Sequence, residues 1–154
     1  MQAARQGRDK QVYSETGARI VVGVVPILPD GNIVLVTSGK NDYFVLPKGG
    51  AESDESLQES ACREAYEEAG LRGVLREGFE CKFPDEKLND VTGLPKSEFT
   101  FFLMDVTSQE AEWPECKERH RQTFHPMQAL AQLRNGSKKP LHLALEAYIQ
   151  QNDK

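Results

Sequence analysis

Glu64, Glu67 and Glu68 fall close together in a segment whose other positions read as a helix packing inward. Leu57, Ala61 and Ala65 step by four residues, the spacing of one helix face. Ser56 followed by Glu59 fits a capping box, with Ser53 an alternative start, and Gly70 suits the helix end. At about 100° per residue the three glutamates crowd one sector of the wheel. Leu57 and Ala61 share that sector with Glu64 and Glu68, so the acidic cluster sits on or beside the face that should be buried.

Such an arrangement is costly unless something neutralises it. Two carboxylates about 4 Å apart repel by roughly 4 kcal/mol at an effective dielectric near 20. Protons or cations must occupy the gap. An all-oxygen cluster suits Mg²⁺, Mn²⁺ or Ca²⁺, whereas Zn²⁺ favours His and Cys. The bland alternative is a solvated acidic helix face, which is what most glutamate runs are.

The rest of the chain bounds the answer. Its 154 residues suit one domain with a real core. Hydrophobic residues make 38% and charged residues 28%, a soluble globular composition with no apolar run of membrane-spanning length. The polar opening from Met1 to Tyr13 carries no signal-peptide pattern, which favours a cytoplasmic location. A secreted protein whose leader has been removed would look the same. The cysteines, Cys62, Cys81 and Cys116, are odd in number and scattered, which argues against a disulfide framework or a zinc site. A net charge of −5 argues against nucleic acid as a partner. An anionic small-molecule substrate would need a local basic patch and bound metal.

Residues 1–17 read as a flexible arm. Ala18 to Leu28 is rich in β-branched residues and reads as a strand, with the Pro29-Asp30-Gly31-Asn32 turn and Ile33 to Thr37 as its hairpin partner. Tyr43 to Leu46 is a short strand leading into Pro47-Lys48-Gly49-Gly50, whose glycines let backbone approach a phosphate or a metal-bound water. Val74 to Phe83 and Glu98 to Val106 are further strands separated by a long loop, Pro84 to Ser97. Arg121 to Phe124 is a last strand, and Pro126 to Arg134 and Leu141 to Ile149 are helices.

One pattern ties the glutamates to the loop before them. Gly49, Glu55, Arg63, Glu64, Ala65, Glu67, Glu68, Gly70 and Leu71 resemble the Nudix box, G-x5-E-x7-R-E-U-x-E-E-x-G-U with U a bulky aliphatic residue; only Ala65 is smaller than usual. The resemblance implies an α/β fold, a Nudix-type α/β/α sandwich with a mixed β-sheet, over residues 18–150. It also implies hydrolysis of a diphosphate linked to another moiety, with a strand-loop-helix holding divalent metal.

Within that family the chain is similar to diphosphoinositol polyphosphate phosphohydrolases. The likeness rests on Arg19 before Val21-Val22-Gly23, Leu35-Val36-Thr37-Ser38, Leu46-Pro47-Lys48-Gly49-Gly50, Arg119-His120-Arg121 before Phe124, and Lys138-Lys139-Pro140-Leu141-His142. Thr123 stands where an aromatic residue is usual. The implied cofactor is Mg²⁺, with Mn²⁺ an alternative, and the implied partner is a small polyphosphate. Glu64 and Glu68 would be primary metal ligands and Glu67 a further ligand or the base. Either Glu67 or Glu68 serves as that base, and the carbonyl of Gly49 or Lys48 adds a ligand. Arg63 and Glu55 read as a structural ion pair. Arg19, Ser38, Lys40, Lys48, Arg121 and Lys139 are the expected phosphate anchors. His120, His125 and His142 are not assigned as catalysts, and Tyr43 and Phe44 read as core. Competing readings are a nucleotide-directed Nudix enzyme acting on dinucleoside polyphosphates or capped RNA, and a catalytically silent phosphate-binding module.

Overall fold

The computed structural model describes residues 2–5, 7, 9–39 and 42–152. The first strand, β1 (Arg19–Ile27), buries seven consecutive residues from Val21 onward, as expected of a central strand covered on both faces. The hairpin return, β2 (Ile33–Thr37), is equally apolar. Then follow β3 (Phe44–Val45), β4 (Lys48–Gly50), α1 (Leu57–Ala69), β5 (Leu71–Leu75), β6 (Cys81–Pro84), β7 (Ser97–Gln109), β8 (Arg121–Phe124), α2 (Pro126–Gly136) and α3 (Lys139–Asn152).

Among the described residues the strands form one eight-stranded sheet with a spine of β3-β2-β1-β7-β5, flanked by β4 on β1, β6 on β7 and β8 on β2. The pairing of β1 with β7 is parallel, from Arg19 opposite Ser97 to Ile27 opposite Asp105, and the other pairings are antiparallel. Side chains alternate between the sheet faces. Gly49, paired with Val22, faces Glu64 of α1. Phe99, paired with Val21, turns the other way, beneath Lys138 just before α3. Helix α1 therefore covers one face, while α3, packed with α2, covers the other. The mixed-sheet α/β/α sandwich expected from the sequence is the observed architecture. The core fills both interfaces, with Val22, Val24, Leu46, Ala61, Phe101, Leu103, Leu133, Leu141 and Leu145 fully buried.

Several boundaries differ from expectation. The strand read over Val74 to Phe83 is two strands, because the chain turns at Glu77-Gly78 and re-enters as β6, both halves pairing with β7. β4 was not foreseen: three residues containing two glycines carry no strand signal, and pairing with β1 alone makes them one. The Pro84 to Ser97 loop is a hairpin extension of β6 and β7, with Lys96 N–H donating to Lys87 O and a bridge between Leu88 and Pro95. Where a flexible arm was expected, Gln11 bridges to Glu52 and Tyr13 to Arg19, and Val12 N–H donates to Ala51 O at 3.2 Å. Among the described residues no helix is long and apolar enough to cross a membrane.

Candidate active site

Local signals fix α1 at both ends. Ser56 Oγ accepts from Glu59 N–H at 3.0 Å and Glu59 Oε1 accepts from Ser56 N–H at 2.8 Å, closing the capping box. Gly70 ends the helix at φ 65°, a left-handed conformation that favours glycine. Trp113 Nε1 donates to Glu68 O at 2.8 Å and Arg121 Nη1 to Ala69 O at 2.9 Å, so the last carbonyls of the helix are satisfied.

Between these ends, Glu64, Glu67 and Glu68 are only 8%, 5% and 8% exposed. Glu64 Oε1 accepts from Arg63 Nη1 at 2.9 Å. Glu67 Oε2 accepts the main-chain N–H of Arg5 at 3.2 Å and faces Arg63 Nη1 at 3.4 Å. Glu68 Oε1 accepts from Lys48 N–H at 3.1 Å and Oε2 from Arg119 Nη2 at 3.3 Å. Arg63 Nε grips both oxygens of Glu55, at 3.0 and 3.1 Å, and its Nη2 reaches Gly50 O at 3.2 Å. The expected Arg63–Glu55 pair is present and ties the loop before α1 to the helix.

Burial dominates the electrostatics. It pushes the Glu64 carboxyl up to about 8, with the neighbouring Glu68 adding to the rise and Arg63 opposing it. It pushes Glu68 up to about 7 against the pull of Arg119 and Lys48. Glu67 is also raised, by burial first, with the Arg5 N–H and Arg63 opposing. Burial works against the charge on Arg63, yet Glu64, Glu55 and Glu67 outweigh it and hold its pKa above the usual value.

Gly49 lies against this cluster. A Cβ built there would stand 2.2 Å from the carboxyl carbon of Glu64, so the absent side chain is what lets that carboxylate reach the β4 backbone. Among the described residues, no three acidic, His or Cys side chains stand as a ready-made metal cage, because Arg63 and Arg119 hold the carboxylates. The donor chemistry nevertheless fits a hard divalent cation: three buried carboxylates reluctant to ionise unaided, beside a backbone strand free of Cβ. The cluster opens into a cavity of about 360 Å³ that Arg5, Arg19, Gly49, Glu52 and Glu115 also line.

The expected phosphate anchors fare differently. Arg19 lines the glutamate cavity. Lys48, paired with Gly23, projects to the same sheet face as Arg19 while its N–H holds Glu68. Ser38 follows the carbonyl of Thr37 that Arg119 Nη1 grips at 2.9 Å, next to the Arg119–Glu68 pair. Lys139 opens α3 as an exposed residue, on the helix layer across the sheet from α1, and does not line the cavity. Lys40 lies outside the described residues. Arg121 is a correction: its Nη1 is spent on the carbonyls of Ala69 and Glu110, at 2.9 and 2.8 Å, and its guanidinium stacks 4.4 Å from the centre of the Trp113 ring. Its work is to close the end of α1.

Sequence reasoning missed Arg119, Arg5, Glu52 and Glu115. The sequence offers Arg119 and Arg121 as equals. The β2–β8 register separates them, setting Arg121 opposite Val36 inside the ladder and leaving Arg119 beyond its end, beside Thr37 and Glu68. Arg5 meets Glu67 across 62 residues of sequence and is held by Glu52, Asp54 and Glu55, non-local contacts with no local signature.

A mixed sheet between helices, with a glycine-bordered strand leading through a loop to a helix of buried glutamates, is the strand-loop-helix arrangement that the sequence resemblance implies for a phosphohydrolase. The sequence model of the NUDIX domain matches residues 17–144. The chain is 35% identical over 136 residues to Nudix hydrolase 16, mitochondrial, of Arabidopsis thaliana, covering 77% of this chain and 73% of that one. It is 33% identical over 153 residues to Nudix hydrolase 12, mitochondrial, of the same plant, covering 83% and 72%. A NUDIX hydrolase from Nitrosomonas europaea superposes with a TM-score of 0.66 at 18% identity, over 87% of this chain and 90% of that one. The chain belongs to the Nudix family and is a Nudix hydrolase. Members of that family act on small-molecule phosphate substrates and generally use a divalent metal ion, typically Mg²⁺.

Proposed function

We propose that this Nudix hydrolase cleaves the diphosphate group of diphosphoinositol polyphosphates, with Mg²⁺ as its cofactor. The observation that carries the reading is the character of the glutamate cavity. It is lined by Arg5, Arg19 and Arg63 beside the buried carboxylates, and no aromatic ring lines it among the described residues. Such a cavity suits a compact, densely charged polyphosphate. A nucleotide would gain from a ring on which its base could stack. The likeness to diphosphoinositol polyphosphate phosphohydrolases around Arg19, Ser38 and Lys48 supports the same substrate class.

Glu64, Glu67 and Glu68 and the carbonyl of Gly49 would hold the metal, which when bound neutralises phosphate charge and acts as a Lewis acid. The side chains do the rest. Arg19, which lines the glutamate cavity, and Lys48, whose N–H holds Glu68, anchor phosphates beside the metal, Arg with a bidentate fork and Lys as a point charge. Arg63, tied to Glu55 and Gly50 O, keeps the loop and helix in register. Arg119 fixes the carboxylate of Glu68 by gripping both it and Thr37 O. Glu67 or Glu68 accepts the proton of the attacking water, a task suited to carboxyls raised toward neutrality.

The test is phosphate release from diphosphoinositol pentakisphosphate with Mg²⁺, measured beside diadenosine polyphosphates. Preferential release from the inositol compound is expected. No release from it, together with rapid turnover of the dinucleotides, would replace this reading with the nucleotide-directed one. Binding of both without turnover would leave only a phosphate-binding module.

A further inference from the structure

Away from the glutamates, two features sit side by side at the far end of β6 and β7. One is a groove of about 360 Å³ lined by Val12, Ile20, Leu57 and Thr100, with the exposed Lys82 and Glu98 on its rim. Ile20, Lys82 and Thr100 share the sheet face beside α1, Leu57 opens that helix and Val12 comes from the arm; Val12, Ile20 and Leu57 are only partly buried. The other is the β6–β7 hairpin tip. It exposes three aliphatic side chains, Leu88 at 49%, Val91 at 92% and Leu94 at 42%. A tip of this kind is ordinarily polar, and clustered exposed aliphatic residues mark a contact surface.

The tip is built to hold its shape. Asn89 N–H donates to Leu94 O at 2.7 Å and Gly93 N–H to Asn89 O at 2.8 Å. The Asn89 side chain accepts from Val91 N–H at 2.9 Å and Thr92 N–H at 3.0 Å. At its base, buried Asp85 accepts from Lys87 N–H at 3.1 Å and from Lys138 Nζ at 3.0 Å, fixing the hairpin to the α3 side. A preformed knob loses little freedom on docking.

We infer that the occupant of the groove is the hairpin tip of a second copy of this chain, so that two copies exchange tips about a two-fold axis. Knob and groove adjoin: Pro84 and Glu98 border the groove and lead directly into the hairpin. Self-complementary neighbouring features are what an isologous pair requires, each copy giving its tip and receiving the other's. Each surface carries charges of both signs. The groove rim offers one cation, Lys82, and one anion, Glu98, while the hairpin carries Glu86 and Asp90 with Lys87 and Lys96. Among the described residues no ion pair engages the side chains of Glu86, Lys87, Asp90, Lys96 or Glu98, and Lys82 meets only Glu80, at 3.8 Å. These charges are available to pair across the axis, Asp90 with Lys82 and a hairpin lysine with Glu98. The groove and the glutamate cavity share no lining residue.

Sedimentation velocity on the full chain, across a hundredfold range of concentration, tests the proposal. A monomer–dimer equilibrium is expected for the native sequence. Val91→Asp should weaken it at least tenfold without changing the melting temperature or turnover, because Val91 touches neither core nor site. Lys82→Glu should weaken it too, and adding Asp90→Lys in that background should restore it by reversing the same pair. A chain that stays monomeric at the highest concentration would overturn the inference. So would a dimer that Val91→Asp leaves intact, or a monomer whose tip instead binds lipid vesicles.

Discussion

Replacing Gly49 by alanine puts a methyl group where the carboxylate of Glu64 now stands. The new Cβ would lie 2.2 to 2.4 Å from the carboxyl carbon and both oxygens, whereas ordinary contact begins near 3.4 Å. The carboxylate must therefore retreat by roughly 1 Å, a displacement that in a reacting constellation costs on the order of a hundredfold in rate. That is about 2.7 kcal/mol of transition-state stabilisation. The fold should tolerate the change. The obstructing atoms are the free end of a flexible side chain, and the alanine narrows the unfolded ensemble by about 0.4–1 kcal/mol, which offsets a weakened Arg63–Glu64 contact. Steady-state phosphate release with Mg²⁺, alongside thermal melting, separates the two effects. The expected outcome is turnover down about a hundredfold with a melting temperature close to native. Turnover within threefold of native would refute the claim that Glu64 must lie against Gly49 for chemistry. Collapse of the fold would refute the claim that only a side-chain end is displaced.

Glu68→Gln keeps the shape of a buried group but removes its charge, so turnover should be abolished while the metal-free protein melts no lower than native; circular dichroism and phosphate release check the pair of outcomes. Stability of the metal-free protein should fall as pH rises. Glu64 and Glu68 titrate at about 8 and about 7 when folded against an ordinary value of 4.5, so the folded chain holds extra protons between these limits. That stabilisation is complete below the ordinary value and is lost as pH climbs through about 7 to 8, on the order of a few kcal/mol in all. Denaturant titrations at pH 6 and pH 8.5 should show the loss, and saturating Mg²⁺ should narrow it, with proton release on binding near neutrality. Arg121→Ala should cost about 2–3 kcal/mol by orphaning the carbonyls of Ala69 and Glu110. Turnover and KM of the folded fraction should stay near native, whereas a phosphate anchor would show a sharp rise in KM.

The layout of the molecule was legible wherever local chemistry and tertiary packing agree. Val21 to Ile27 announces a central strand by its β-branched run, and Ser56, Glu59 and Gly70 announce the ends of α1 by their capping chemistry. The glutamates could be singled out because charge at a helix face that must be buried is a contradiction requiring an explanation. Other parts were decided by contacts that sequence spacing does not encode. Lys48 to Gly50 becomes a strand only because β1 offers it partners. Of the two arginines flanking His120, the strand register sets Arg121 within the ladder and leaves Arg119 beyond its end, on Thr37 O and Glu68. The arm reads as loose by composition and is held instead by main-chain bonds to Ala51, Glu52 and Arg19.

That arm meets Glu67 through the peptide nitrogen of Arg5, not through its guanidinium, which is committed to Glu52, Asp54 and Glu55. The hydrogen bond is thus a property of where the chain passes and is indifferent to what residue is carried there. An alanine scan would strip away the outer ion pairs yet leave this inner tether untouched. Proline, which has no amide hydrogen to give, is the one substitution that cuts it.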